Sequence, residues 1–269
     1  MPSIQMPPDR AAKPPAQPAR RRGRVQAAVP AFDPVDPSLS EPVERQVYRA
    51  IRRGMMSGLV PPDAFLSGRA LAQYMKVSVQ PVRDALKRLE AERLIEGRPQ
   101  SGFRLRGMTA PEYWEIVEIR CRLEALAGRH VAARVTPALI DRLVQRNEAM
   151  ARSVDPTTTL AANFAFHFAI YTEAGRPALL EMIENLWTRI GPILHQHAEG
   201  YPGDTTKAKH DRIIAALERR DPDEAEAAII DDLVEATHRI VNKLPAGPDA
   251  AGDRGEADGR ARGGLGRAG

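Results

Sequence analysis

Hydrophobic residues in the first third of the chain recur at helical spacing before the pattern changes to that of short strands. Apolar residues stand at every fourth position along Val43–Met55, which predicts one buried face of a first helix. Ser67 and Ser78 precede two further apolar-periodic stretches and are suited to cap a second and a third helix. The helical period then stops, and glycines and a proline indicate a turn between two extended segments, 94–96 and 103–105. Three helices followed by a small β-hairpin predict a winged helix-turn-helix.

The third predicted helix has distinct inner and outer faces. Apolar residues lie at positions i, i+3, i+4 and i+7 along Val82–Leu89 and should form the inner face. In a helix-turn-helix protein such a helix lies in the major groove of DNA, with its first turn toward the base edges. The backbone amides of that turn and the hydroxyl of Ser78 would then contact phosphates. The residues expected on the outer face are polar or charged: Gln80, Arg83, Asp84, Lys87 and Arg88.

From residue 109 onward the pattern predicts helices and no strands. Thr109–Glu112 has the form of a capping box and should begin a helix that ends near residue 130. Asp221–Glu224 has the same form and should begin the last helix, which ends near residue 243. Four helices are predicted between them, at 136 onward, about 158–174, about 177–197 and about 205–219. Six helices with short links predict an all-α antiparallel bundle, and thus a mostly α protein.

Charge is unevenly distributed along the 269 residues, although the formal net charge is only +4. Residues 39–108 contain thirteen basic and seven acidic side chains, whereas residues 109–245 contain sixteen basic and twenty-one acidic ones. A basic first domain joined to an acidic second domain indicates that only the first faces a polyanion such as double-stranded DNA.

Both ends of the chain are predicted to be disordered tails, which leaves two domains, 39–106 and 109–245. Prolines and basic residues cluster in residues 1–38, and glycines cluster within 246–269, so neither segment can bury enough apolar surface to offset the entropy of ordering. The single cysteine, Cys121, excludes an intrachain disulfide and fits the reducing cytoplasm. No apolar run reaches the roughly 18 residues that a membrane span needs.

One stretch of the first domain carries a recognisable motif. Residues Leu66–Leu105 read LSGRALAQYMKVSVQPVRDALKRLEAERLIEGRPQSGFRL. This stretch resembles the signature of the GntR family of bacterial transcriptional regulators, whose DNA-binding domain is a winged helix. The resemblance implies that Arg69 on the second helix and Arg83 on the third contact DNA, and that Gly102 is the glycine of the wing.

Two features depart from the pattern of the GntR family. Val79 and Gln80 stand where the family usually has Arg-Thr, so the arginine that would bind a guanine is absent. Gln80 can instead bind an adenine edge through two hydrogen bonds, and Val79 can contact a thymine methyl group. Arg93 replaces a glycine that usually precedes the leucine at position 94. We therefore expect DNA binding, but to an operator that differs from the family's usual half-site.

Three segments of the second domain read IRCRLEALAGRHVA, NFAFHFAIY and KHDRIIAALERRDPDEAEAAIIDDL. They resemble the FCD effector domain, the partner of GntR-type winged helices in the FadR subfamily. Many FCD domains hold a divalent metal with an Asp and a His on one helix and two further His on the last two helices. The matching positions in this chain are Asn163, His167, His210 and Asp232.

The metal ligand set that the resemblance implies differs from that of the FCD family at two positions. Asn163 replaces an Asp, and Asp232 replaces a His, so two imidazoles, one carboxylate and one amide remain. Two histidines and a carboxylate suit zinc, manganese or nickel. Two alternatives remain open from the residues alone. Asn163 and His167 would form a buried hydrogen-bonded pair without an ion, and Asp232 would simply face solvent.

Two residues are candidates for binding an effector. Arg120 matches an arginine common in FCD domains and has the guanidinium geometry to bind a carboxylate; a salt bridge to Glu124, one helical turn away, is the alternative. His195 lies near the end of a predicted helix and is a second candidate for the pocket.

These features together predict a ligand-responsive transcriptional regulator. We expect a homodimeric repressor of the cytoplasm that a small carboxylate releases from a double-stranded DNA operator, because such operators are usually two-fold symmetric. A metal-dependent enzyme and an effector-independent nucleoid-type protein are the alternatives. The enzyme is disfavoured because the sequence has no nucleophile motif and no Gly-rich phosphate loop.

Overall fold

The computed structural model describes residues 32–61, 64–98, 102–196 and 203–246. Nearly all of the predicted C-terminal tail and most of the predicted N-terminal tail lie outside these ranges. None of the described helices is long and apolar enough to cross a membrane.

The N-terminal domain is a winged helix-turn-helix, as predicted. Its helices are α1 (Val43–Met56), α2 (Gly68–Met75) and α3 (Val79–Ala91), and its strands are β1 (Phe65–Leu66), β2 (Ile95–Arg98) and β3 (Gly102–Leu105). The strands form an antiparallel sheet in the order β1-β3-β2. The sequence predicted the β2-β3 hairpin but not β1, because two residues are too few to establish an alternating pattern.

Helix α3 presents the predicted inner face to the core of this domain. Val82, Ala85, Leu86 and Leu89 have no exposed surface, and they pack with Val47, Ile51 and Met55 of α1. Ser67 caps α2 by accepting a hydrogen bond from the amide of Ala70, at 3.4 Å. Ser78 precedes α3 as its N-cap residue, but its side chain accepts no capping hydrogen bond.

The predicted N-terminal tail ended at residue 38, and this boundary is wrong for the residues that the structure describes. Phe32 is 6% exposed and packs into the core of the winged helix, where its ring meets that of Tyr74 edge to face at a centroid distance of 6.3 Å. A β-carbon at Gly54 of α1 would lie 2.7 Å from the same ring, so the absence of a side chain at this position leaves room for Phe32. Composition did not reveal this contact, because one aromatic residue among prolines does not change the average composition of the segment.

The C-terminal domain is all-helical, as predicted. It comprises α4 (Ala110–Ala132), α5 (Pro137–Arg152), α6 (Pro156–Glu173), α7 (Pro177–Gln196), α8 (Gly203–Glu218) and α9 (Pro222–Val241). The capping box that begins α4 is complete, because Thr109 and Glu112 bond each other's backbone amides. At α9 only half of the predicted box forms. Asp221 accepts from the amide of Glu224, while the Glu224 carboxylate accepts from Arg212 at 2.8 Å.

Helix α7 packs against α1 and joins the two domains. A β-carbon at Gly191 of α7 would lie 2.0 Å from the carbonyl oxygen of Met55, a contact that only glycine permits. Arg52 of α1 donates to the side chain of Asn185 at 2.7 Å and to that of Thr188 at 3.4 Å. The same helix, α7, contributes Trp187 to the core of the C-terminal domain.

Candidate DNA-binding surface and candidate metal centre

The outer face of α3 is exposed, as its sequence pattern predicts. Gln80, Arg83, Asp84, Lys87 and Arg88 are all exposed to solvent, and Val79 in the first turn is 36% exposed. The exposed part of this apolar side chain, at the start of the helix, can contact a binding partner.

Three cations on α2 and α3 have no internal partner among the described residues. In the described part of the chain, Arg69, Arg83 and Lys87 form neither an ion pair nor a hydrogen bond. Arg88 differs, because it stacks over the ring of Tyr48 at 3.8 Å and pairs with Glu92 at 3.3 Å. Arg88 therefore supports the domain, whereas the other three remain free for phosphates or bases.

Gln80 has a partner that the sequence analysis did not anticipate. Its Nε2 atom donates to both carboxylate oxygens of Asp84, at 2.9 and 3.1 Å. The four-residue spacing of the two side chains was the available signal, since such pairs face each other on a helix.

The wing depends on a glycine at position 102. Gly102 has φ +104°, and a β-carbon there would lie 2.8 Å from the carbonyl oxygen of Leu66 in β1. Arg93, which stands where the GntR family usually has glycine, adopts a left-handed conformation with φ +58°. A non-glycine residue pays a steric cost in this region, which explains the usual glycine.

Three of the four predicted metal ligands lie together in the core of the C-terminal domain. One ligand atom from each of His167, His210 and Asp232 lies within 4.8 Å of the others. The side chains come from α6, α8 and α9 and are 1%, 0% and 7% exposed. The alternative in which Asp232 faces solvent is therefore wrong.

A buried chain of hydrogen bonds determines the orientation of His167. Glu124 of α4 is fully buried and accepts hydrogen bonds from Arg120 at 2.7 Å, from Trp187 at 3.0 Å and from the hydroxyl of Tyr171. Burial, followed by the charge of Glu124, holds the pKa of Tyr171 well above its usual value, so the hydroxyl keeps its proton. Because Tyr171 donates this proton to Glu124, its oxygen can only accept from Nδ1–H of His167, 3.0 Å away.

The second ring nitrogen of His167 faces Asp232. Nε2 lies 3.3 Å from Oδ2 of that carboxylate. Burial raises the pKa of the Asp232 carboxyl, but the hydrogen bond to His167 and the electrostatic environment set by the two histidines and Arg120 outweigh burial and lower it. Asp232 is therefore ionised, and a positive charge is needed between it and Nε2.

His210 is oriented in the same way by different residues. The amide nitrogen of Asn147 donates to the carbonyl oxygen of Lys207 and to Asp211, so its Oδ1 accepts from Nδ1–H of His210 at 3.2 Å. Burial lowers the pKa of His210 to about 3, so its imidazole is neutral. Its Nε2 is buried, has no hydrogen-bond partner among the described residues, and lies 4.0 Å from Oδ1 of Asp232.

Asn163, the fourth predicted ligand, is buried on α6 one turn before His167. The two ring nitrogens of His167 contact Tyr171 and Asp232, so the predicted hydrogen bond between Asn163 and His167 is not the contact that forms.

The two candidate effector residues are both engaged elsewhere. Arg120 is 3% exposed and binds Glu124 through Nε at 2.7 Å and through a terminal nitrogen at 3.4 Å, so the salt-bridge alternative is the one that forms. The Nδ1–H group of His195 donates to the carbonyl oxygen of Gly58, at the boundary between the two domains. The structure therefore brings Arg120, but not His195, next to the polar cluster.

Sequence reasoning missed the residues that support the histidines. Glu124 appeared only as a partner for Arg120, and Tyr171 and Trp187 did not appear. The four-residue interval between His167 and Tyr171 was the one local signal, because it places both on one helix face.

The geometry defines a class of protein: a DNA-binding winged helix joined to a helical domain with a buried polar site. Comparison with known families agrees. Residues 43–105 match the family described as bacterial regulatory proteins, gntR family, and residues 115–235 match the FCD domain.

Individual relatives match most of the length of the chain. The chain is 31% identical over 207 residues to a probable D-xylose utilization operon transcriptional repressor of Paenarthrobacter nicotinovorans, covering 76% of this chain and 88% of the relative. It is 30% identical over 182 residues to the HTH-type transcriptional regulator McbR of Escherichia coli, covering 65% and 82%. The solved structure of E. coli McbR/YncC superposes with a TM-score of 0.70 at 26% identity, over 76% of this chain and 99% of that one. This chain belongs to the GntR family and is a transcriptional regulator rather than an enzyme.

Proposed function

We propose that the protein is a homodimeric repressor that binds a double-stranded DNA operator and leaves it when a small carboxylate binds a divalent ion in the FCD domain. The observation that carries this proposal is the pair of buried histidines, His167 and His210, whose Nε2 atoms both face Asp232.

Local hydrogen bonding supports a cation at this site. Tyr171 and Asn147 accept from the Nδ1–H groups of the two histidines, which leaves both Nε2 atoms free to act as ligands. Metal-binding histidines commonly donate their other ring N–H to such a partner, which fixes the ring and raises its basicity. A divalent ion would satisfy the unpartnered Nε2 of His210 and compensate the charge of Asp232.

Two imidazoles and one carboxylate suit zinc, manganese or nickel. Asn163 would serve as a weak fourth ligand or would orient the others, and the ion would supply a Lewis-acidic position for a carboxylate effector. Because Glu124 binds Nε and one terminal nitrogen of Arg120, a direct role of Arg120 in effector binding would use its remaining N–H groups.

Helix α7 is the route by which we propose that the site influences DNA binding. Trp187 of α7 donates to Glu124 and lies with its ring centroid 5.7 Å from that of His167. The next residue, Thr188, contacts Arg52 of α1, and Gly191 packs against the end of α1. A shift of α7 on ligand binding would therefore move α1 and the winged helix with it.

In this proposal α2 and α3 contact both the backbone and the bases of DNA. Arg69, Ser78 and Lys87 would bind phosphates, while Val79, Gln80 and Arg83 would reach base edges. The compact backbone at Gly102 would let the wing approach the duplex.

An exposed apolar face on the FCD domain supports dimerisation. Ile119 and Leu126 of α4 are 44% and 41% exposed, and Met182 of the adjacent α7 is 56% exposed. A second copy would bury these side chains and would place two winged helices for a two-fold operator.

The test uses the full chain, purified without chelators, and the DNA sequence that it selects from a random double-stranded pool. Small carboxylates are screened by thermal shift with and without zinc, manganese and nickel, since a ligand that binds only the native state raises Tm. We expect one carboxylate that acts only with metal and that removes the footprint from the selected DNA. Asp232→Ala should keep the footprint and lose this response. A response that Asp232→Ala retains would contradict the metal-dependent mechanism, and the lack of any selected sequence would contradict the regulator itself.

A further inference from the structure

The described part of the chain begins at a residue that is fixed in the winged helix. Phe32 is 6% exposed and packs in the core of that domain, against the ring of Tyr74 on α2. The backbone is held a second time at Asp36. Its amide donates to Oε1 of Gln46 at 2.9 Å, and Nε2 of Gln46 donates back to the carbonyl oxygen of Asp36 at 2.9 Å. The chain that precedes Phe32 therefore starts from a defined point on the DNA-binding domain.

The segment that precedes Phe32 is strongly basic. Residues 10–31 contain no acidic side chain and six basic ones, namely Arg10, Lys13, Arg20, Arg21, Arg22 and Arg24. Their charge of +6 equals the net charge of residues 39–108, where thirteen basic side chains face seven acidic ones. Four of the six lie within residues 20–24. A dense cluster of arginines attached to a DNA-binding domain is suited to the phosphates of the duplex.

We infer that residues 20–24 serve as an arm that binds DNA phosphates beside the winged helix, and that Phe32 fixes the point from which this arm starts. The inference deepens the proposed function and rests on it, because the arm extends the surface by which the winged helix contacts DNA. The arm supplies affinity for any sequence rather than specificity, since phosphate contacts carry no information about the bases.

The arm is long enough to reach the DNA that α2 contacts. An extended chain from Arg24 to Phe32 spans about 26–29 Å. The ring of Phe32 lies 6.3 Å from that of Tyr74. Tyr74 follows Arg69, the proposed phosphate contact of α2, by five residues, which is a rise of about 7.5 Å along the helix. The span of the arm thus exceeds the offset between its starting point and Arg69.

The fixed starting point determines how much affinity the arm can add. Once the winged helix is bound, the arm meets the same duplex as a tethered group, at an effective concentration that falls roughly as the −3/2 power of the tether length. Burial of Phe32 in the core makes the tether as short as the sequence allows. A tail that served only solubility would gain nothing from this anchor, whereas an arm that binds DNA gains affinity from it.

The first test measures the salt dependence of DNA binding by the full chain. Fluorescence anisotropy follows binding to the selected operator and to random double-stranded DNA at several salt concentrations. Each phosphate contact contributes about 0.9 to the slope of log affinity against log salt concentration. An arm variant should therefore lose about 2–4 of this slope for each protomer bound, and equally on both DNAs. The arm variant combines Arg20→Gln, Arg21→Gln, Arg22→Gln and Arg24→Gln.

A control variant removes the same charge from exposed arginines of the C-terminal domain. It should keep the slope of the wild type, because these residues lie in the domain that the proposal places away from DNA. The control combines Arg142→Gln, Arg152→Gln, Arg176→Gln and Arg219→Gln.

A third variant tests the anchor and removes no charge. About sixteen Gly and Ser residues inserted between residues 31 and 32 leave Phe32 in place and lengthen the tether from Arg24 about threefold. The effective concentration of the arm, and with it the affinity for DNA at low salt, should fall about fivefold. The salt dependence should stay that of the wild type, because every arginine is still present.

Each outcome decides a separate point. An arm variant that keeps the wild-type slope would overturn the inference, as would an equal loss of slope in the control variant. An insertion variant that binds DNA as tightly as the wild type would show that Phe32 does not position the arm. A wild type that selects no sequence, but whose affinity for random DNA depends on the arm, would instead contradict operator binding and support the arm.

Discussion

The Nδ1 atom of His167 lies 3.0 Å from the hydroxyl oxygen of Tyr171, and this contact leaves the opposite nitrogen of the ring to face Asp232. Tyr171 in turn donates to the buried Glu124. The ring of His167 is therefore held by a chain of hydrogen bonds that begins on another helix, and the strength of any metal site should depend on that chain.

Tyr171→Phe should weaken metal binding about 10- to 100-fold, the usual effect of removing a partner that orients a ligating histidine. Calorimetric titration of zinc measures the change. Tyr113→Phe is the matched control, because Tyr113 is also buried but lies on α4 and contacts Thr237 instead. Equal affinities for zinc in the two variants would show that Tyr171 does not orient His167.

Asp232→Ala should abolish metal binding, because it removes the one charged ligand of the proposed set. Asn163→Asp should strengthen binding, because it adds a second carboxylate at the position where the FCD family has one. Elemental analysis of protein purified without chelators, followed by calorimetric titration with zinc, manganese and nickel, measures both effects.

The same measurements on the wild type could contradict the prediction that the site binds a metal. A folded dimer that contains no metal and gives no heat on titration would remove the ion from the mechanism. His167 and Asp232 would then be a buried hydrogen-bonded pair, and the site would be a purely organic pocket.

Arg120→Ala should lower the free energy of unfolding by about 3–5 kcal/mol, since it leaves the Glu124 carboxylate buried without its cation. Urea denaturation followed by circular dichroism measures the loss. Arg142→Ala is the control, because its ion pair with Glu173 is exposed and should contribute at most about 1 kcal/mol. Similar losses for the two variants would argue that the Arg120–Glu124 pair is not essential to the core.

If Arg83 contacts a base edge, Arg83→Ala should weaken binding to the selected operator by about 1–3 kcal/mol and should weaken binding to random DNA much less. Arg69→Ala should weaken binding to the operator and to random DNA equally, and should reduce the salt dependence of binding, as loss of a phosphate contact does. Fluorescence anisotropy at several salt concentrations distinguishes the two roles. A uniform loss for Arg83→Ala, or a loss restricted to the operator for Arg69→Ala, would reverse the assignments.

Much of the fold could be predicted because its determinants are local. The inner face of α3 follows from periodic apolar residues, and the start of α4 follows from Thr109 and Glu112, three residues apart. The cluster of His167, His210 and Asp232 was accessible only through resemblance to a family, because nothing in the local sequence indicates that α6, α8 and α9 meet there.

The features that sequence reasoning missed depend on contacts between distant segments. Glu124 gains its partners Tyr171 and Trp187 from residues 47 and 63 positions away. His195 could not be placed, because its partner Gly58 lies in the other domain. A hydrophobic pattern shows which residues are buried, but not which polar groups meet when helices pack.

The junction between the domains leads to the last prediction. Gly191 of α7 packs so closely on α1 that an added β-carbon would lie 2.0 Å from the backbone oxygen of Met55, which no side-chain movement can relieve. Gly191→Ala should therefore separate the two helices, and amide hydrogen exchange at the C-terminal end of α1 should accelerate at least about tenfold as local opening becomes easier. Amides of α3 should stay protected, because the core of the winged helix is untouched. Gly107→Ala is the control, since a β-carbon at that position meets no atom within 4 Å. Two results together would contradict this route. Amides of α1 would exchange as slowly in Gly191→Ala as in Gly107→Ala, and zinc would alter the DNA affinity of both variants as it does that of the wild type. The contact of α7 with α1 would then not connect the metal site to the DNA-binding surface.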